Sequence, residues 1–154
     1  SHVLRLITDL VNHDYDKKQS QTSIKNALEF ASKISRRKNV MFVISDFMDD
    51  NFWTEMKYLN FNHDVIGIQI YDLFEKEFPD LGLIKVHNSE SNERVWIDTS
   101  NEKVRLDFSK DFSKRLNTFA QRCKNIGFDL LQIGTDEDYI KALTRFFKIR
   151  AKRT

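Results

Sequence analysis

Apolar residues fall into two kinds of pattern along the chain. Val3, Leu4, Leu6, Ile7, Leu10 and Val11 recur at helical spacing, which predicts a helix over residues 3–12. A polar stretch, 13–21, reads as a loop. Thr22 or Ser23 then caps a second helix, whose stripe is Ile24, Ala27, Leu28, Phe30, Ala31 and Ile34. Arg36, Arg37 and Lys38 follow, cations that suit a helix C-terminus. Val40, Met41, Phe42, Val43 and Ile44 form an unbroken apolar run, the signature of a strand covered on both faces. Residues 52–61 form a weak helix with Trp53, Met56, Tyr58 and Leu59 as apolar positions, and 65–71 is a second buried strand. Residues 74–80 read as a loop around Pro79. Residues 84–86 and 95–97 are hairpin arms around the turn-rich 88–92. Val104, Phe108, Phe112, Leu116, Phe119 and Cys123 mark a long amphipathic helix over 102–125, stopped by Gly127. A third buried strand spans 128–133, and a last helix 138–152.

Strands alternating with long helices imply parallel strands joined by crossovers. The expected fold class is therefore α/β, a three-layer Rossmann-like and mostly parallel sheet with a β-hairpin inserted at 83–98. With 154 residues the chain supports one domain. No apolar run is long enough to span a membrane. The single cysteine, Cys123, excludes an internal disulfide framework and points to a reducing compartment, read as the cytoplasm. It lies on the apolar face of the long helix, where it reads as a small core residue. The four histidines fall in loops or at the terminus without metal-ligand spacing and read as solvated.

Charge adds one asymmetry. The net charge is +2, yet residues 139–154 hold Lys141, Arg145, Lys148, Arg150, Lys152, Arg153 and no acid. These cations complement the dipole of the last helix, with Phe146, Phe147 and Ile149 expected to anchor it. A nucleic-acid contact through the tail is the weaker reading.

The three strands each end in a carboxylate: Ser45-Asp46, Tyr71-Asp72, and Thr135-Asp136 with Asp138. In an open parallel sheet these ends share one rim, where ligands bind. Oxygen ligands on a rim suit Mg²⁺. Helix capping explains Asp72 and Asp136 more simply, whereas for Asp46, directly after the most apolar strand, the two readings are closer. Asp49 and Asp50 read as a cap before the helix at 52. No glycine-rich phosphate loop or Gly-x-Ser-x-Gly elbow is present.

Taken together, His2-Val-Leu-Arg-Leu-Ile, Thr22-Ser-Ile-Lys-Asn-Ala-Leu-Glu-Phe, Val43-Ile-Ser-Asp-Phe, His63-Asp-Val-Ile-Gly-Ile and Thr135-Asp-Glu-Asp-Tyr with Phe146-Phe147 resemble the C-terminal half of a bacterial family long catalogued as a domain of unknown function. Its members carry a von Willebrand factor A-like domain and are often encoded beside MoxR-type AAA+ ATPases. The resemblance implies a metal-ion-dependent adhesion site with Thr22 and Asp46 as ligands, Mg²⁺ as the cation of the complete domain, and a MoxR-type ATPase as protein partner. The Asp-x-Ser-x-Ser loop of that site is absent, and Ser23 stands where relatives often carry an acid. The chain is thus expected to be an N-terminally truncated, partial domain over 1–154 that binds Mg²⁺ weakly or not at all. Its Val40–Ile44 strand then becomes an edge open to pairing, and a homodimer through it is expected.

Two functions follow. The first is a non-enzymatic protein-interaction module. The alternative is a metal-dependent hydrolase of Rossmann-like fold using Asp46 and Asp136, which needs converging carboxylates, a nucleophile and a base.

Overall fold

The computed structural model describes residues 2–12, 23–87 and 94–153. The elements in chain order are α1 (His2–Val11), α2 (Ile24–Ile34), β1 (Val40–Ser45), α3 (Trp53–Asn62), β2 (Asp64–Tyr71), α4 (Leu73–Lys76), β3 (Leu83–His87), β4 (Arg94–Asp98), α5 (Glu102–Asn125), β5 (Asp129–Gly134) and α6 (Tyr139–Arg150). Strands β1, β2 and β5 form one sheet in the order β1-β2-β5, and both pairings are parallel. The hairpin β3-β4 is antiparallel and makes a separate two-stranded sheet.

Register sorts the side chains onto two faces. Phe42 lies opposite Ile66, and Ile66 opposite Asp129, so the even positions of β1 and β2 share a face with the odd positions of β5. The other face carries Met41, Val43, Val65 and Leu130. These pack with Ile24, Leu28, Phe52, Trp53, Met56, Leu59, Cys123 and Phe128 into the main core, which α2, α3 and α5 close. Phe52 and Met56 are wholly buried; burial of such a side chain contributes about 1.5–3 kcal/mol. Gly67 is required where Phe128 passes beneath β2, since a Cβ there would meet the ring at 2.6 Å.

α6 covers the opposite face. Phe147 meets Phe42 edge-on at 6.3 Å between centroids. Arg150 bonds to Asp64, and its Nε lies 3.1 Å from Asp129. Arg153 also reaches Asp129. The helix is thus held as much by ion pairs at the strand starts as by apolar contact. Ile149, expected as an anchor, faces outward and is 46% exposed.

Local signals explain most element ends. Ser23 caps α2 by accepting from the Asn26 amide, and Asn101 and Asp138 cap α5 and α6 in the same way. Gly127, at φ 66°, stops α5. Four expectations are corrected. β1 is not covered on both faces: Val40, Phe42 and Ile44 are 59%, 50% and 61% exposed, because α6 is clasped to the starts of β2 and β5 and reaches β1 through Phe147 on Phe42. Residues 73–76 form a helical turn that overlaps the start of the expected 74–80 loop, begun by Asp72 accepting from the Phe74 amide. Asp49 makes a turn with the Asn51 amide at 2.8 Å rather than a helix cap, and α3 begins at Trp53, with Phe52 as an N-cap that offers no side-chain hydrogen bond. His63 is buried, not solvated; its Nδ1 accepts from the Asn39 amide.

Candidate functional site

Parallel pairing brings the C-terminal ends of β1, β2 and β5 to one rim, so Asp46, Asp72 and Asp136 stand on the same side of the sheet. Of the two residues expected to hold a metal, Asp46 is on this rim and exposed, while Thr22 lies outside the described residues.

The loop after β1 is tightly pinned. Ser45 Oγ accepts from the Phe47 amide at 3.1 Å, and Asp46 Oδ1 accepts from the Met48 amide at 3.2 Å. Gln69 Nε2 donates to the Asp46 carbonyl at 3.0 Å. Gln69 in turn accepts from Gln132 Nε2 at 2.8 Å, and that same group donates to the Leu116 carbonyl of α5. Both ends of this buried amide chain are satisfied, so it fixes loop, sheet and helix together. Phe47 is the one non-glycine residue among those described with a positive φ, at 55°. Its ring is buried 5.7 Å from Phe52 and 5.0 Å from Phe119. The left-handed backbone costs about 1–2 kcal/mol, which the ring's packing offsets.

Between this loop and α5 lies a groove of about 770 Å³. Its floor is aromatic, with Phe47, Trp53, Phe112 and Phe119. The β1 and β2 side bears Asp46, Asp50 and Glu75; α5 contributes Lys114, Arg115 and Arg122 together with one carboxylate, Asp111. The Arg122 guanidinium sits 4.0 Å from the centre of the Trp53 ring, and Arg115 5.9 Å from that of Phe112. Burial, together with the nearby carboxylates of Asp46 and Asp72, raises the Glu75 pKa, against which Arg115 acts. The groove explains why Phe108, Leu116 and Phe119 of the long helix stay only partly buried: they line a cleft rather than a closed core.

The rim beyond β2 and β5 is tied by its own bonds. Tyr71 Oη donates to Glu137 at 2.9 Å, and burial with that neighbouring carboxylate pushes the tyrosine up to about 12. Thr135 Oγ1 reaches Asp72 at 3.5 Å. Asp72 caps α4 as expected, but Asp136 caps nothing; Asp138 is the residue that caps α6.

Among the described residues no three His, Cys, Asp or Glu side chains gather closely enough to hold a metal ion. Cys123 is 1% exposed, and burial pushes its thiol up to about 12, as suits a core residue. Of the tail cations, Arg150 and Arg153 engage the sheet and Lys141 pairs with Asp138. Arg145, Lys148 and Lys152 line a shallow outer groove of α6. No helix among the described residues is long and apolar enough to cross a membrane. The opposed charges and aromatic floor of the rim groove went unforeseen in the sequence. The signal for them was the (i, i+7) pair Arg115 and Arg122, a full two turns apart on the helix face that also carries Phe112 and Phe119.

An α/β domain with an aromatic, doubly charged groove at its strand-end rim is the class that these features define. Residues 1–117 match the family described as "Protein of unknown function DUF58", and the chain belongs to that family. The match ends within α5. The chain is also similar to "Uncharacterized protein MAV169" of Mycobacterium avium, 26% identical over 127 residues, covering 82% of this chain and 75% of that protein. It is 26% identical over 129 residues to "Uncharacterized protein Mb1516" of Mycobacterium bovis and to "Uncharacterized protein Rv1480" of Mycobacterium tuberculosis. In both cases 82% of this chain is covered but only 40% of the relative, so the chain spans well under half of those two proteins. No solved structure matches.

Proposed function

We propose that this chain is a cytoplasmic, non-enzymatic protein-interaction module of von Willebrand factor A-like type, which meets its partner at the strand-end rim around Asp46. The observation that supports it most is the pinned groove itself. It offers aromatic area bordered by the carboxylates of Asp46, Asp50 and Glu75 and by the mixed charges of α5, among them the guanidinium groups of Arg115 and Arg122, a combination suited to a protein surface. A MoxR-type AAA+ ATPase is the proposed partner, on the strength of the family resemblance. In the complete domain Thr22 and Asp46 are proposed to contribute to an Mg²⁺ site, whose remaining oxygens come from beyond these 154 residues or from the partner.

The test is co-purification with a MoxR-type ATPase in millimolar Mg²⁺ and in chelator. Retention should fall about tenfold or more for Asp46→Ala and for Arg122→Ala, the size of effect expected at an interface hot spot. Both positions sit at the surface of the rim, and circular dichroism would confirm that each variant is folded. Equal retention of wild type and both variants would sink the reading. So would metal-dependent phosphoester hydrolysis abolished by Asp46→Ala, which would favour the hydrolase.

A further inference from the structure

Trp53 carries a donor with nothing to bond. The residue is 8% exposed and lines the rim groove, its ring packed 5.0 Å from Phe52 and 5.3 Å from Phe119. Its Nε1–H is closed to water and has no acceptor among the described residues. A buried indole N–H is ordinarily paired, because otherwise it forfeits the hydrogen bond it made to water. The second donor at this corner is Arg122. Its guanidinium covers the Trp53 ring at 4.0 Å and makes no ion pair or hydrogen bond among the described residues. Its own helix offers it no acid: one turn to either side stand Thr118, Phe119, Asn125 and Ile126. Arg115 differs, since Asp111 lies one turn before it.

We infer that the Arg122–Trp53 corner seats a carboxylate of the partner, borne by an Asp or Glu side chain in a segment whose neighbouring apolar residue lies on the aromatic floor. The inference rests on the reading of the groove as a protein-binding site and names what that site recognises. A carboxylate is planar and has two oxygens, one for the guanidinium and one for the indole N–H. Nε1 is closed to water, so only a group held by a stronger anchor reaches it. Arg122, exposed and rich in rotamers, is that anchor. Binding pairs a donor that the free protein leaves unpaired, which adds to the affinity. Phosphate fits the corner poorly. Four carboxylates and three cations line the groove, so it does not attract a dianion or a phosphate backbone. The same balance suits a segment of mixed charge, whose cation meets Asp46, Asp50 or Glu75.

The test follows the two indole N–H resonances of the chain by proton–nitrogen NMR, with chelator present throughout so that no cation on Asp46 mediates the effect. The probe is the peptide acetyl-Ala-Phe-Glu-Ala-Lys-amide, to about 10 mM, a range that covers the millimolar affinity of a short segment. The Trp53 resonance should move downfield and saturate. That of Trp96, 60% exposed on the hairpin, should stay in place, and Trp96→Phe assigns the pair. Replacing the probe's Glu by Gln should weaken binding about tenfold or more, the size of a hydrogen bond to a charged group. Arg122→Gln should weaken the Glu peptide by a similar factor and leave the Gln peptide unchanged, a coupling that a purely structural arginine would not show. Arg115→Gln should change either by less than about threefold. A Trp53 resonance that never moves, equal binding of the Glu and Gln peptides, or an Arg122→Gln chain that binds as tightly as the unmodified one would each overturn the inference. Displacement of the Glu peptide by equimolar inorganic phosphate would overturn it in favour of a phosphate site. Peptide binding without ATPase retention leaves the corner standing and removes that partner. ATPase retention without peptide binding overturns the carboxylate and leaves the interaction module.

Discussion

The parallel sheet has two lateral strands, β1 and β5, and they are built in opposite ways. Among the described residues both are paired on one side only. β5 opens with Asp129, bound by Arg150 at the end of α6 and by Arg153 just beyond it; its side chains are half-buried or buried, and Gln132 is locked to Gln69 and to the α5 backbone. β1 is apolar up to its closing serine, and every second side chain is open to water. The contrast separates two properties that an apolar run in a sequence conflates. Residues 40–44 and 128–133 are both strongly apolar, yet only the second lies under helices on both faces. Hydrophobicity fixed that these segments are strands. Which helix covers which strand was decided by α6, whose ion pairs reach Asp64 and Asp129 but not β1.

The largest effect expected from this contrast concerns matched truncations. Ile133→Ala, at a buried position of β5, should cost about 2–4 kcal/mol in urea unfolding. Ile44→Ala on β1, at a 61% exposed position, should cost under about 0.5 kcal/mol. Equal losses would erase the distinction between the strands.

Next in size is the ionic clasp. Arg150→Met leaves Asp64 and Asp129 partly buried without this guanidinium, and should destabilise the chain by about 1–3 kcal/mol. Because α6 shields chiefly β2 and β5, amides of those strands should lose protection more than those of β1. A change below about 0.5 kcal/mol would mean that the apolar contacts alone hold the helix.

Gln69→Leu tests the link between strands and rim. It removes the donor to the Asp46 carbonyl and the acceptor of Gln132, at a predicted cost of about 1–2 kcal/mol. It should also loosen the Asp46 loop, read as faster exchange of the Met48 amide, with little change along β1.

The smallest effect is one of pH. Glu75 has its pKa raised in the folded chain above the ordinary value of 4.5, chiefly through burial. Its contribution to stability is therefore fully present below the unfolded-state pKa and is lost as pH rises through the folded one. Replacing it by Gln should flatten the stability profile just above pH 4.5, and a profile unchanged there would mean the carboxyl is freely solvated.

Much of this architecture was legible in the chain. The parallel strands, the long helix ending at Gly127 and the core role of Cys123 follow from periodicity and one turn residue. What escaped was information carried by neighbours distant in sequence. His63 reads as a loop histidine until the Asn39 amide is placed against it. Asp136 and Asp138 look equivalent as caps, and only geometry selects Asp138. The groove was hidden for a related reason: a helix that lines a cleft has the same apolar spacing as one that seals a core. Thr22 lies outside the described residues, so its expected role beside Asp46 rests on the family resemblance.

Phe47 carries one more consequence. Its backbone sits in a region that glycine would occupy without penalty, while its ring fills a place that glycine would leave hollow. Relaxing the turn and keeping the interior full are thus incompatible demands at a single codon. Any variant selected for a more mobile acid at position 46 will pass through a less stable protein. Conversely, tightening the aromatic cluster will stiffen the lip that a partner must approach.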